Sequence, residues 1–171
     1  LGARTINESV MLHLDLIRKT KDVQFIWQTG KYYSNDIREA LQEKVKPDNL
    51  YVSDFISDMA KAYKVADIVI SRAGACSISE LQMLGKPVIL VPSPNVAEDH
   101  QTKNAMALVN KKAAICIKDN EARMFLIPKA LEVVNDSEKL NLLSHNIMEM
   151  GKPNATEQIV DEVLRLANEN K

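Results

Sequence analysis

The amino-acid sequence predicts an α/β fold in which a doubly wound parallel sheet carries helices on both faces. Short apolar runs rich in Val and Ile recur along the first two thirds of the chain, with little alternation between apolar and polar residues. Such runs are typical of strands that are buried on both faces. Segments with helical periodicity separate the runs, and this regular alternation predicts repeated βαβ units.

Five apolar runs are the predicted strands. No comparable run follows residue 117, so the last third of the chain is predicted to be helical. The predicted strands are 23–27, 49–52, 66–70, 87–91 and 113–117.

Apolar residues spaced three or four apart predict the helices, because this spacing places them on one face. A helix over 123–135 contains Pro128, which should bend it or start a new helix there. The Gly-Lys-Pro sequence at 151–153 ends the next helix. The predicted faces are Ile6, Val10, Leu14 and Ile17; Ile37 and Leu41; Ile78 and Leu81; Ala105, Leu108 and Val109; Leu140, Leu143, Ile147 and Met150; and Ile159, Val160, Val163, Leu164 and Ala167.

One domain over residues 1–171 is predicted, since the sequence contains no internal repeat, low-complexity tract or long linker. The first element is a helix, and residues 1–3 look like the turn between a strand and that helix. Parallel sheets normally have a strand at this point. We therefore expect that the chain as given lacks the first strand of the sheet and begins inside a longer protein.

Composition excludes several classes of function. The 22 Lys and Arg residues balance 23 Asp and Glu residues, so no basic surface for nucleic acid is expected. No apolar stretch reaches the length of about 18 residues that indicates a membrane span. Cys76 and Cys116 are expected to be reduced, buried thiols. His13 and His145 have no Cys or His neighbour at the spacing of metal ligands, so no metal site is expected.

The first candidate site joins the predicted strand 66–70 to the next helix. The backbone N–H groups of Ala75, Cys76 and Ser77 are placed to hold a phosphate at the helix start, and Glu80 to accept bonds from a ribose diol. Alternatively, Gly74 only makes the turn, Ser77 caps the helix and Glu80 completes a capping box. The spacing alone leaves both interpretations open.

The second candidate site lies between the predicted strand 87–91 and the following helix. His100 and Gln101, as a buried pair at this edge, are placed to bind sugar hydroxyls. The alternative, which the pattern favours, is that Asp99 is only an N-cap and His100 only a surface residue.

The third candidate site, residues 54–59, follows the predicted strand 49–52. A backbone with unpaired polar groups at this point can pair with the edge of a base. The favoured alternative is that Phe55 and Ile56 belong to the core and that Ser57 or Asp58 caps the next helix.

Taken in series, the motifs of these three sites resemble those of the MurG family of bacterial N-acetylglucosaminyltransferases, over essentially the whole chain. The motifs are Phe-Ile-Ser-Asp-Met at 55–59, Ala-Asp-Ile-Val-Ile-Ser-Arg-Ala-Gly-Ala at 66–75, Ser-Glu at 79–80, Gly-Lys-Pro at 85–87, Val-Pro-Ser-Pro at 91–94 and Asp-His-Gln-Thr-Lys-Asn-Ala at 99–105. The resemblance implies a GT-B architecture of two Rossmann-like domains, of which this chain is the carboxyl-terminal one that binds the donor UDP-N-acetylglucosamine (UDP-GlcNAc).

The resemblance also implies a role for each site residue. Close relatives carry Gln-Gln where this chain has His100 and Gln101, so His100 departs from the family pattern. By position, the implied roles are uracil recognition by the backbone of Ile56 with Met59 nearby, ribose binding by Glu80, diphosphate binding by the amides of Ala75, Cys76 and Ser77, and contact with N-acetylglucosamine by His100 and Gln101.

The implied reaction is an inverting transfer of N-acetylglucosamine to the undecaprenyl-linked MurNAc-pentapeptide (lipid I), which gives lipid II for peptidoglycan. It implies no metal or cofactor and no catalytic residue in this chain, since the acceptor site and the base belong to an absent amino-terminal domain. That domain would attach the enzyme to the cytoplasmic face of the bacterial inner membrane. The alternative is a UDP-sugar-binding subunit, or a domain of another GT-B protein, that is not catalytic by itself.

Overall fold

The computed structural model describes residues 3–169, and strands and helices alternate along the chain. Each of the five strands overlaps its predicted run, so the strand predictions are confirmed. The strands are β1 (Phe25–Gln28), β2 (Leu50–Ser53), β3 (Val69–Ser71), β4 (Val88–Leu90) and β5 (Ile115–Cys116). The helices are α1 (Arg4–Leu12), α2 (Leu14–Lys19), α3 (Ser34–Glu43), α4 (Met59–Val65), α5 (Ala75–Leu84), α6 (His100–Val109), α7 (Asp119–Val134), α8 (Ser137–Glu149) and α9 (Ala155–Glu169), with a 3-10 turn at Ala97–Asp99 before α6.

The strands pair in parallel, as predicted, but they form two sheets instead of one. β1 pairs with β2, and β4 lies between β3 and β5. Ile70 of β3 packs against the hydrophobic cluster that contains Trp27 of β1, so the two sheets share a core. In a doubly wound order, a strand before α1 would lie between β1 and β3. That strand stays a prediction, and residues 1 and 2 of the expected turn lie outside the described residues.

The two sheets differ in burial. Val88, Ile89 and Leu90 of β4 are fully buried, as predicted for a strand covered on both faces. The prediction was wrong for β1 and β2, where the paired neighbours Ile26 and Tyr51 are 46% and 63% exposed. The short helix α4 buries none of its residues and leaves a cavity of about 780 Å³ between itself and these strands.

The first predicted helix is broken into two. His13 lies between α1 and α2 with φ −105° and ψ 21°, and its Nδ1 lies 2.9 Å from the carbonyl oxygen of Ser9. Val10, Leu14 and Ile17 are nevertheless buried in one cluster, because the break preserves the direction of the apolar face.

No new helix starts at Pro128, which was one of the two predicted outcomes, and a bend at the proline stays a prediction. α7 begins at Asp119 and continues through the proline. Leu126, Ile127 and Ala130 on both sides of it are buried. This packing outweighs the loss of one backbone hydrogen bond at the proline.

The last two helices differ in the burial of their apolar faces. Leu143 and Ile147 of α8 are buried in the core, as the periodicity predicts. The predicted stripe of α9 exists, but Ile159 and Val163, like its other described members, are exposed. Within residues 3–169, every helix is too short or too polar to span a lipid bilayer.

Candidate functional site

The start of α5 rules out the capping interpretation of the first site. The helix begins at Ala75 with Gly74 as N-cap, and no side chain among the described residues caps it. Ser77 is therefore the third residue inside the helix and Glu80 the sixth, so the capping box is wrong. Glu80 is exposed, and one of its carboxylate oxygens, Oε2, accepts a hydrogen bond of 3.1 Å from the hydroxyl of Tyr63 on α4.

The N-terminus of α5 can bind an anion. The first N–H groups of a helix have no partner within the helix, and the aligned peptide dipoles place partial positive charge there. Ile78 is the first residue whose N–H bonds back along this helix, to the carbonyl of Gly74. A Cβ added at Gly74 would meet no atom beyond its chain neighbours within 4 Å, so the N-cap position of this helix is open on that side.

Gln101 joins the loops that follow β3 and β4. Its Oε1 accepts hydrogen bonds from the backbone N–H groups of Ala73, at 3.2 Å, and Ser93, at 2.9 Å. Since both partners are donors, the oxygen of the carboxamide must face them, and its amino group is the part left for a ligand. Asn104 strengthens the same junction by donating to the carbonyl oxygen of Ala73 at 3.1 Å.

His100 does not form a buried pair with Gln101 as expected, because His100 is exposed and only Gln101 is half-buried. Nδ1 of His100 lies 2.7 Å from the carbonyl oxygen of Ala97. Asp99 precedes α6, as the alternative held, but its carboxylate accepts a hydrogen bond from the Thr102 hydroxyl and caps no backbone N–H. The two residues before the helix, 98 and 99, both have positive φ, of 53° and 51°.

At the third site, the favoured alternative is confirmed for the helix cap and is wrong for the two apolar residues. Asp58 caps α4 by accepting from the backbone N–H of Lys61 at 3.0 Å, and the hydrogen bonds from the Lys61 side chain and backbone lower the pKa of Asp58. Phe55 is 61% exposed and Ile56 is only half-buried, so neither is a core residue. The backbone N–H of Ile56 donates to Oε1 of Gln28 at 2.9 Å.

A charged cluster behind the loop after β3 went unnoticed in the sequence. The Arg72 guanidinium pairs with the Asp119 carboxylate and also donates to the carbonyl oxygens of Val91 and Pro92. The Thr5 hydroxyl donates to the other oxygen of Asp119 at 2.9 Å. This cluster ties the starts of α1 and α7 to the loops after β3 and β4.

Two further expectations were that both cysteines are buried, reduced thiols and that the chain has no metal site. Both cysteines are unpaired thiols, but Cys76 is exposed, which corrects the expectation that both are buried. Cys116 is half-buried, and this burial raises the pKa of its thiol. Within residues 3–169, no group of three or more His, Cys, Asp or Glu side chains is arranged to hold a metal ion.

The contacts link the predicted site residues in a chain. Gln101 connects the second site to the loop that opens the first, and the Tyr63–Glu80 bond connects the first to the helix that follows the third. Gln28, Tyr63 and Arg72 are the members that sequence reasoning missed. Their residue types gave no indication of a role, because each side chain contacts a partner at least 17 positions away in the sequence.

The parallel strands with helices on both sides define a Rossmann-like domain of the GT-B glycosyltransferase type. The crystal structure of Acinetobacter baumannii MurG matches it with a TM-score of 0.80 at 28% identity, over 96% of this chain and 47% of that one. Glycosyltransferase VinC, solved in complex with dTDP, matches with a TM-score of 0.73 at 14% identity, over 98% of this chain and 40% of that one. At that identity, the second match shows the fold alone.

Sequence comparison then places the chain in a family. Residues 1–159 match the family described as glycosyltransferase family 28 C-terminal domain, and the chain belongs to this family. The UDP-N-acetylglucosamine--N-acetylmuramyl-(pentapeptide) pyrophosphoryl-undecaprenol N-acetylglucosamine transferase of Bacteroides fragilis is 59% identical over 170 residues, which are 99% of this chain and 45% of that protein. The resemblance to MurG is confirmed, and the chain spans slightly less than half the length of this relative.

Proposed function

We propose that this chain is the donor-binding domain of an inverting glycosyltransferase that moves N-acetylglucosamine from UDP-GlcNAc to lipid I and so makes lipid II. The observation that carries the proposal is the open, uncapped N-terminus of α5 with the exposed Glu80 carboxylate less than two turns along the same helix. A helix N-terminus suits a diphosphate and a nearby carboxylate suits a ribose diol. The likeness to the Bacteroides fragilis transferase supports this choice of ligand.

The diphosphate is assigned to the N–H groups of Ala75, Cys76 and Ser77. Negative charge grows on the diphosphate as UDP leaves, so these fixed N–H groups act where charge develops in the transition state. The acceptor's sugar hydroxyl attacks the anomeric carbon from the face opposite UDP, which inverts the configuration. No metal ion is required in this scheme, because the helix N-terminus supplies the positive potential.

The uracil is assigned to the backbone of Ile56 with Met59 nearby. The N–H group of Ile56 donates to the Gln28 carboxamide oxygen. A uracil carbonyl that pairs with this N–H therefore has to take the place of the Gln28 oxygen, which is of the same chemical kind.

The N-acetylglucosamine is assigned to Gln101 and His100. The amino group of Gln101 is a donor for a sugar hydroxyl, while its oxygen holds the two loops together. The exposed ring of His100 lies at the start of the same helix. Its Nε2 is the atom that faces a ligand, since Nδ1 contacts the Ala97 carbonyl.

No residue of this chain is assigned to the attack itself. The acceptor site, the catalytic base and the contact with the cytoplasmic face of the membrane are assigned to the part of the enzyme that the relatives have beyond this domain. This assignment rests on their length, of which the chain spans 45%.

Calorimetric titration of the full gene product with UDP-GlcNAc, UDP, UDP-glucose and ADP tests the proposal. We expect the uridine compounds to bind more tightly than ADP, and UDP-GlcNAc more tightly than UDP-glucose. Glu80→Ala should weaken UDP binding by about 1–3 kcal/mol, the cost of losing hydrogen bonds to a charged group, which is roughly 5- to 150-fold in Kd.

Glu39→Ala is the matched control, because Glu39 is an exposed carboxylate on α3, which contributes no residue to the site. Its Kd values should equal those of the wild type. No binding of any uridine nucleotide at millimolar concentration, or equal binding of ADP and UDP, would refute a UDP-sugar site. Binding of UDP-GlcNAc without transfer to lipid I would instead favour a binding subunit or another GT-B protein.

A further inference from the structure

A tyrosine on the neighbouring helix holds the carboxylate assigned to ribose. Tyr63 of α4 donates its hydroxyl to Oε2 of Glu80 at 3.1 Å. Its ring is half-buried and packs against the core cluster that contains Ile78 and Leu81 of α5. The packing of the ring against the core thus fixes the position of the hydroxyl, whereas the Glu80 side chain is exposed.

An exposed glutamate has several rotatable bonds, and ordering it costs side-chain entropy. A hydrogen bond to an anchored donor removes much of this freedom before a ligand arrives. Among the described residues, the contact of Glu80 engages one carboxylate oxygen, so the other keeps its lone pairs for a diol. Burial, and next the bond to Glu80, raises the pKa of Tyr63, so the hydroxyl stays protonated and remains a donor at neutral and mildly alkaline pH.

The position of Tyr63 also suits a nucleoside. Tyr63 follows Met59 by four residues on α4, which places the two side chains on one face, roughly 6 Å apart along the helix. Met59 is assigned to the neighbourhood of uracil and Glu80 to the ribose. Base and ribose are directly bonded, so their binding groups must be neighbours, and Tyr63 shares a helix with Met59 and a hydrogen bond with Glu80.

We propose that Tyr63 is a positioning residue that aims the Glu80 carboxylate at the ribose hydroxyls of a uridine diphosphate ligand. The proposal rests on the proposed function, since it assumes that Glu80 binds the ribose. Its prediction is specific: loss of the tyrosine hydroxyl weakens binding of ligands that carry the diol and leaves ligands without it unaffected.

The test compares UDP with 2′,3′-dideoxyuridine diphosphate (ddUDP) by calorimetry on the full gene product. In the wild type, UDP should bind more tightly than ddUDP. Tyr63→Phe keeps the ring and its packing, and it should weaken UDP binding about 3- to 10-fold, the range of a lost hydrogen bond, with an unchanged Kd for ddUDP. Tyr32→Phe is the control, because Tyr32 is 76% exposed and contacts only the ring of Tyr33 among the described aromatic residues.

Glu80→Ala separates this proposal from the proposed function. If Glu80→Ala abolishes the preference for UDP over ddUDP and Tyr63→Phe leaves it intact, Glu80 binds ribose without help and the positioning role is overturned. Equal weakening of UDP and ddUDP by Tyr63→Phe would also overturn it, since that is the result of a packing defect. If the wild type does not distinguish the two nucleotides, the ribose site fails and the positioning role fails with it. In the Glu80→Ala background, Tyr63→Phe should have no further effect on UDP binding.

Discussion

Gln101 allows a structural and a ligand-binding role to be separated by two substitutions at one position. Its carboxamide oxygen accepts from the backbone N–H groups of Ala73 and Ser93, and its amino group is assigned to the sugar of the donor. Gln101→Ala removes both functions. Gln101→Glu has nearly the same shape and retains an acceptor for the two N–H groups, but it has no donor for the sugar.

The expected loss of stability follows from the two hydrogen bonds. Each contributes about 0.5–1.5 kcal/mol, so Gln101→Ala should lower the free energy of unfolding by about 1–3 kcal/mol. For a chain of this size, 1 kcal/mol corresponds to about 2–4 °C in Tm, which gives a decrease of roughly 2–12 °C. Gln101→Glu should melt within about 2 °C of the wild type, because its carboxylate replaces the lost acceptor.

The order of the two variants in ligand affinity should differ from their order in stability. With Gln101→Glu, the Kd for UDP-GlcNAc should rise about 2- to 10-fold more than the Kd for UDP, because the added negative charge repels the diphosphate of both nucleotides and the lost hydrogen bond affects only the sugar. Differential scanning calorimetry measures the stability and titration calorimetry the binding. Gln158→Ala, on the exposed face of α9, is the control for both measurements.

Two results would refute this reasoning about Gln101. A Tm of Gln101→Ala equal to that of the control would mean that the two hydrogen bonds do not hold the loops. An equal change of the Kd values of Gln101→Glu for UDP and for UDP-GlcNAc would mean that the amino group does not contact the sugar.

Two further predictions concern residues around the site. Asp119→Ala leaves the half-buried Arg72 guanidinium without its carboxylate, and it should lower the free energy of unfolding by about 1–3 kcal/mol, measured by urea unfolding; an unchanged midpoint would contradict this. At about pH 8, iodoacetamide should label the exposed Cys76 before Cys116, because burial raises the pKa of Cys116 and keeps it in the thiol form. Raising the pH should speed labelling of Cys116, as followed by mass spectrometry. In the same assay, saturating UDP should slow labelling of Cys76. Equal rates for Cys76 with and without UDP would count against the diphosphate site.

Periodicity predicts the elements of this fold because each depends on residues close together in the chain. The five strands follow from runs of Val and Ile, and the buried faces of α1, α2 and α8 follow from the spacing of Val10, Leu14, Leu143 and Ile147. The break at His13 was not predictable, since the apolar spacing continues through it. The burial of β1 and β2 also required the structure, because the same run of Val, Ile and aromatic residues suits a strand covered on one face or on two.

The candidate site was predictable only in part, for a related reason. Gln101 follows a turn that the sequence makes visible and Glu80 lies on the helix after another such turn, while their roles in binding stay predictions. The start of α5 stayed open in the sequence because Ser77 and Glu80 have the spacing of a capping box, whereas the helix starts at Ala75, before Ser77. The contact of Tyr63 with Glu80 depends on how two helices pack, which local spacing does not encode.

Much of the assigned recognition belongs to backbone groups, and polar side chains from elsewhere in the chain hold these groups in place. Gln28 contacts the Ile56 N–H, and Gln101 the Ala73 N–H. Backbone N–H groups are the same in every residue, so their selectivity for a ligand depends on where they are held. A substitution at Gln28 should therefore alter the choice among nucleotides without removing a contact to the ligand, whereas a substitution at Gln101 also removes the contact assigned to the sugar. A Gln28 variant, for example, changes the partner that uracil has to displace at Ile56 and leaves the uracil contact itself in place.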